Sequence, residues 1–149
     1  MSELLQLTFW ATFLSAAVRT AIPILCASIG EDISEKAGII NVGLEAVMLV
    51  GAFFGFAAAY LTHSLFWGFV VGMLAGMLLS LLHAFLSVYL KQDQNVAGVA
   101  LNLLATGLTS YIFQLMVNRY GIPQIETLKS VPIPLLSKIP LIGDALFNK

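Results

Sequence analysis

Long uncharged apolar runs, separated by short polar clusters, make up most of this chain. From Ala46 to Leu90 there is no Asp, Glu, Lys or Arg. A helix crossing the hydrocarbon of a bilayer needs roughly 20 residues, so that run predicts two spans. The most polar triplet within it, Thr62-His63-Ser64, places the break. Tyr60 and Trp67 bracket it, as amphipathic rings do at a membrane interface. The two spans are predicted near residues 44–61 and 65–90, antiparallel, the longer one tilted. A further uncharged run predicts a span near 96–117, and Leu4–Gly30 predicts the first, despite Arg19 and Pro23. Lys/Arg is missing from its start, which argues against a cleaved leader. After Val117 the pattern changes: Pro123, Pro132, Pro134 and Pro140 recur between short apolar pieces. Proline at that density prevents a continuous helix, so residues 118–149 are predicted as a surface loop in which the chain ends as if truncated.

Composition agrees with the pattern. Of 149 residues, 59% are hydrophobic and 10% charged, and the mean hydropathy is +0.93. One water-facing core of this size could not hide so much apolar surface. The fold class is therefore all-α, a polytopic transmembrane bundle of about four spans. A net charge of −1 offers no basic patch for nucleic acid. The single cysteine, Cys26, forms no internal disulfide, and no metal-ligand spacing occurs.

Small residues repeat at helical spacing. Gly68, Gly72 and Gly76 are followed by Ser80 and Ala84 on one face, and Gly51, Gly55 and Ala59 form a similar row on the preceding span. Such rows let helix backbones approach closely; a seam that slides during transport would use the same residues. His83 lies beside this face and reads as a histidine hydrogen-bonded inside a bundle. On the first span Thr8, Thr12, Ser15 and Arg19 share a face. An arginine in mid-span costs roughly 2.5–3.5 kcal/mol on insertion scales, so Arg19 should face protein or water, or else snorkel to an interface. Asn102, Thr106 and Thr109 form another polar stripe, able to pack against a neighbour or to line a path.

Charges gather between the first two spans, in Gly30-Glu31-Asp32-Ile33-Ser34-Glu35-Lys36-Ala37-Gly38-Ile39-Ile40-Asn41-Val42-Gly43-Leu44-Glu45. A solvated turn would account for the charge. Apolar Ile39, Ile40 and Val42 fit a plain turn poorly, and Asn41 and Glu45 would share a face if helical. A half-helix beginning near Asn41 or Gly43 would present free backbone N–H groups to a polar ligand, which is tolerated in a membrane only beside protein or a water-filled cavity.

With Met48, Gly51 and Ala52, this segment resembles the motif G-E-x-I-x-E-[KR]-A-G-x-I-N-[IV]-G-x-E-x-x-M-L-x-G-A. That motif is typical of permease subunits of nucleoside-type ABC importers, within the simple-sugar and branched-chain amino-acid permease superfamily. Ala46 departs conservatively from the usual glycine. Gln94–Ala105 is similar to a segment opening a later helix there, and Gly121–Pro140 to an external loop.

The resemblance implies a broken helix beside the translocation path, so that Glu31, Glu35, Lys36, Asn41 and Glu45 border a cavity. Buried carboxylates would then need Lys36 or Arg19 as partners. Asn41, Asn102, Phe53 and Phe54 are the implied contacts for a neutral, ring-shaped nucleoside. It further implies a multi-pass protein of the bacterial plasma membrane, with a cytoplasmic Lys91–Asn95 loop and an external 118–149 loop. The partners implied are an ABC ATPase subunit, a second permease subunit, a solute-binding lipoprotein and membrane lipid. The chain has no phosphate-binding Gly-rich Lys-Ser/Thr motif, so it is expected to bind no cofactor itself, with ATP on a partner subunit, and to perform no chemistry. Family permeases run to about twice this length, which makes the chain the N-terminal half of one. A permease for simple sugars or branched-chain amino acids is the alternative within transport; a small membrane scaffold or assembly protein is the alternative of another class.

Overall fold

A computed structural model describes residues 7–121 and 123–125. Four α-helices follow one another: α1 (Leu7–Lys36), α2 (Leu44–Thr62), α3 (Leu65–Ala84) and α4 (Gln94–Tyr120). A π-helical turn, Phe85–Tyr89, prolongs α3. All four helical segments are long and apolar enough to cross a membrane. Most of the predicted 118–149 loop, with Pro132, Pro134 and Pro140, lies outside the described residues, as does the Thr8 side chain. Asn118–Tyr120 belong to the last turn of α4.

The chain divides into two units between Ser28 and Ile29. In the first, α1 continues across Pro23, whose missing N–H leaves the Arg19 carbonyl without its helical donor. The Thr20 and Ser28 hydroxyls donate to carbonyls of Ala16 and Ile24 in their own helix, at 3.1 and 2.9 Å. Phe9, Trp10 and Phe13 form an aromatic cluster near its start, Phe9 and Trp10 meeting edge to face at 5.7 Å.

In the second unit, α2 and α3 are antiparallel, joined through His63-Ser64. His63 takes the left-handed conformation, φ 50°, that closes α2. The glycine rows meet across this pair. A methyl group added to Gly55 would lie 3.0 Å from the Gly68 carbonyl oxygen; one added to Gly72 would lie 2.9 Å from that of Gly51. The seam closes backbone to backbone because neither row carries side chains. Gly76 is looser, its nearest neighbour, on Val47, being 3.5 Å away.

Helix α4 lies parallel to α2. Phe56 meets Phe113 at 6.4 Å and Tyr60 meets Tyr120 at 6.2 Å, while Ala46 meets Asn102 at the other end. Ala46, Val50, Leu101 and Ala105 form the buried core, with Leu49, Phe54, Ala75, Leu79 and Leu86 packed around it. Outward faces are more apolar than the interior: Phe69 and Leu103 are exposed, whereas His83, Ser87 and Thr109 are buried. Lipid as solvent reverses the usual penalty on exposed apolar surface, and His83 and Thr109, turned inward, find carbonyl partners.

Candidate functional site: the linker between α1 and α2

The first helix does not stop at Gly30. It continues to Lys36, so Glu31, Asp32, Glu35 and Lys36 are helical. An Asp32–Lys36 pair at 2.6 Å spans one turn, largely exposed, and supports the helix modestly. Gly38 ends it. At φ +82° it occupies the left-handed region, and its N–H donates to the Glu35 carbonyl at 2.9 Å while Ile39 N–H donates to Ser34 at 3.0 Å. These paired bonds are those of a Schellman stop, which glycine adopts without a Cβ penalty.

Residues 37–43 then run beside α4. Ile40 N–H donates to Gln94 Oε1 at 2.7 Å, and Gln94 Nε2 donates to the Gly38 carbonyl at 3.4 Å. Two turns further along α4, Asn102 Nδ2 donates to the Val42 carbonyl at 3.1 Å, and Asn102 Oδ1 accepts from Ala46 N–H at 2.8 Å. Two side-chain amides of α4 therefore clasp the linker and the first turn of α2. They are eight residues apart, about 12 Å of helix, so the linker advances along α4 before α2 begins.

Backbones touch between the two amides. A methyl group on Gly98 would lie 2.7 Å from Gly43 N and 2.9 Å from the Val42 carbonyl carbon. Behind the clasp, His83 is 2% exposed, with Nε2 3.4 Å from the Gln94 carbonyl oxygen. Asp93 caps α4 by accepting from Asn95 and Val96 N–H at 2.8 and 3.1 Å.

Several expectations change against this geometry. The carboxylate drawn in is that of half-buried Glu31, and its partner is no cation: Glu31 Oε1 accepts from Asn41 N–H at 2.7 Å. Lys36 is engaged with Asp32, and Arg19 is exposed on α1 with no ion pair among the described residues. Asn41 precedes α2, so it does not share a helical face with Glu45, which is exposed in the first turn of that helix. The N–H groups opening α2 are not all free, since Asn102 takes that of Ala46 and the Asn41 carbonyl takes that of Leu44. Asn102 thus has both ends of its amide engaged by backbone.

The structure brings Glu31, Asn41 and Asn102 into hydrogen bonds at the linker, while Glu35, Lys36 and Glu45 flank it with exposed side chains. Glu35 lies exposed near the end of α1. Phe53 is buried and meets Phe54 edge to face at 5.3 Å. Phe54 lines a hollow of about 440 Å³ between α2 and α3, whose walls are aliphatic apart from that ring. Thr106 and Thr109 donate to carbonyls of their own helix, at 2.8 and 2.7 Å. Gln94 was not among the expected site residues, because next to Lys91, Gln92 and Asp93 it reads as part of a polar loop. A signal was present in the Gln94-Asn95 pair opening the segment that resembles a permease helix.

The family described as "Branched-chain amino acid transport system / permease component" matches residues 13–138. The chain belongs to that permease family. Among curated relatives of this permease chain, a protein of Haloferax volcanii named as a glucose ABC transporter permease is 42% identical over 95% of this chain and 43% of its own length. A guanosine ABC transporter permease protein of Bacillus subtilis is 33% identical, over 98% of this chain and 46% of its own. A nucleoside ABC transporter permease protein of Lactococcus lactis is 38% identical, over 85% and 42%. The chain spans a little under half the length of these relatives. No solved structure matches it. Family and helices together make it a multi-pass membrane protein.

Proposed function

We propose that this chain is the N-terminal half of a permease subunit in an ATP-driven importer, and that residues 37–43 border the solute route. The observation that carries this reading is the conjunction of family and geometry. In a chain matching transport permeases over residues 13–138, a break between two apolar helices is held by side-chain amides reaching across from α4. The clasp packs this irregular backbone on protein, and broken helices are where transporters place their sites.

Nucleosides are the proposed solutes. Support comes from the guanosine and nucleoside permeases of B. subtilis and L. lactis, matched over 98% and 85% of this chain. A second reading, a sugar permease, is favoured by the 42% identity to the H. volcanii protein. The partners follow from that assignment: an ATPase subunit that binds and hydrolyses ATP, a second permease subunit, and a lipoprotein that delivers solute outside. This chain supplies helices and path, binds no cofactor and makes or breaks no bond.

Uptake of labelled guanosine, ribose, glucose and leucine by cells carrying the complete transporter tests the assignment. Guanosine uptake that depends on ATP is expected. Uptake of leucine alone would overturn the choice of solute, and uptake of none of the four would overturn the transport reading.

A further inference from the structure

Two oxygen atoms at the linker are left out of the hydrogen bonding around them. Glu31 Oε2 and Asn41 Oδ1 are both covered from solvent, and neither finds a donor among the described residues. They belong to side chains already held together, since Asn41 N–H donates to the other Glu31 oxygen at 2.7 Å. Four donors of the linker and the elements around it are engaged elsewhere. Ile40 N–H goes to Gln94, Ala46 N–H to Asn102, the Asn102 amide to Val42, and Lys36 to Asp32. Covered acceptors without donors are uncommon and costly, so the arrangement calls for donors from outside the chain.

We propose that Glu31 Oε2 and Asn41 Oδ1 together receive the vicinal hydroxyls of a neutral, sugar-bearing solute. This rests on the reading that residues 37–43 border the solute route. An ionised carboxylate accepts and cannot donate, and a bond to it is stronger than one between neutral groups. A vicinal diol offers two O–H donors side by side and carries no charge. The Glu31 carboxylate would disfavour a phosphate beside the diol. Glucose and ribonucleosides share the diol, so one acceptor pair serves both solute classes. The two oxygens are covered while Glu31 and Asn41 each retain some open surface, so a solute edge reaches the pair once these side chains turn outward.

The test compares guanosine with 2′-deoxyguanosine, which keeps no vicinal pair of hydroxyls, in cells carrying the complete transporter. The natural chain is expected to take up the diol-bearing member of the pair about tenfold faster or more, the worth of one hydrogen bond to a charged group. Asn41→Ala removes one acceptor, and Glu31→Gln removes the charge while keeping an oxygen for Asn41 N–H. Each should bring the ratio towards one by slowing the diol-bearing solute, at unchanged protein level in the membrane. Equal uptake of both members by the natural chain overturns the inference while leaving the transport reading intact. So does a ratio that stays fixed while both variants slow the two solutes alike. Uptake of leucine alone would assign the carboxylate to an ammonium group and overturn the diol. Uptake of none of these solutes overturns the transport reading and the diol site with it.

Discussion

Asn102 shows how far a residue type can be read before its partners are known. On an apolar helix an asparagine needs a reason, and both packing and solute contact were open. The geometry gives it a backbone clasp: one end of the amide holds Val42, the other Ala46, 60 and 56 residues away. Asn102→Ala would leave the Ala46 N–H without that acceptor, at a cost of about 1–3 kcal/mol. We expect a lower unfolding midpoint in detergent and weaker uptake. Thr106→Ala, four residues on, removes a hydroxyl bonded only within its own helix, and its midpoint should stay close to that of the natural chain. Gln94 was harder to read because its partners, Gly38 and Ile40, lie in a different polar cluster. A pairing between two such clusters leaves no periodic trace in either.

At the scale of elements, uncharged length made the four helices legible, whereas charge misplaced the end of the first. Glu31, Asp32, Glu35 and Lys36 look like a turn between spans, yet they stay helical, with modest help from the exposed Asp32–Lys36 pair, until Gly38 stops the helix. The glycine rows read from spacing meet at the α2–α3 seam. There the contact distances predict a graded series. Gly68→Ala would put a methyl 2.7 Å from Ala59 Cβ and 2.8 Å from the Gly55 carbonyl oxygen, so the helices must part, at about 1–3 kcal/mol for overpacking. Gly72→Leu should be worse and lower the amount of assembled protein. Gly76→Ala meets nothing closer than 3.5 Å and should be tolerated. Equal thermal midpoints for the Gly68 and Gly76 variants would show that the backbones do not meet at this seam. The same reasoning separates Gly98→Ala, which would press on the linker backbone, from Gly107→Ala, which opens onto free space and should gain a few tenths of a kcal/mol or more in helix propensity.

Over the whole molecule, the helix directions within residues 29–125 fix which polar segments share a side of the membrane. The linker and the turn around Lys91 lie together, because Gln94 opens α4 beside Gly38 and Ile40. His63 and Arg119 lie at the opposite end, because α2 and α4 are parallel and Tyr60 meets Tyr120 there. Family resemblance places the first side in the cytoplasm, while Lys and Arg counts near the span ends do little to decide it. With Cys26 replaced by serine, single cysteines at Glu35, Lys91, His63 and Arg119 should separate into two pairs with an impermeant thiol reagent. Glu35 and Lys91 should react only from inside, His63 and Arg119 only from outside. A cysteine at Asn41 adds the functional arm: if the linker borders the route, transported solute should slow its labelling severalfold. Labelling of Asn41→Cys that ignored solute, at normal rates for the other four, would preserve the topology and reduce the linker to a structural joint between α1 and α2.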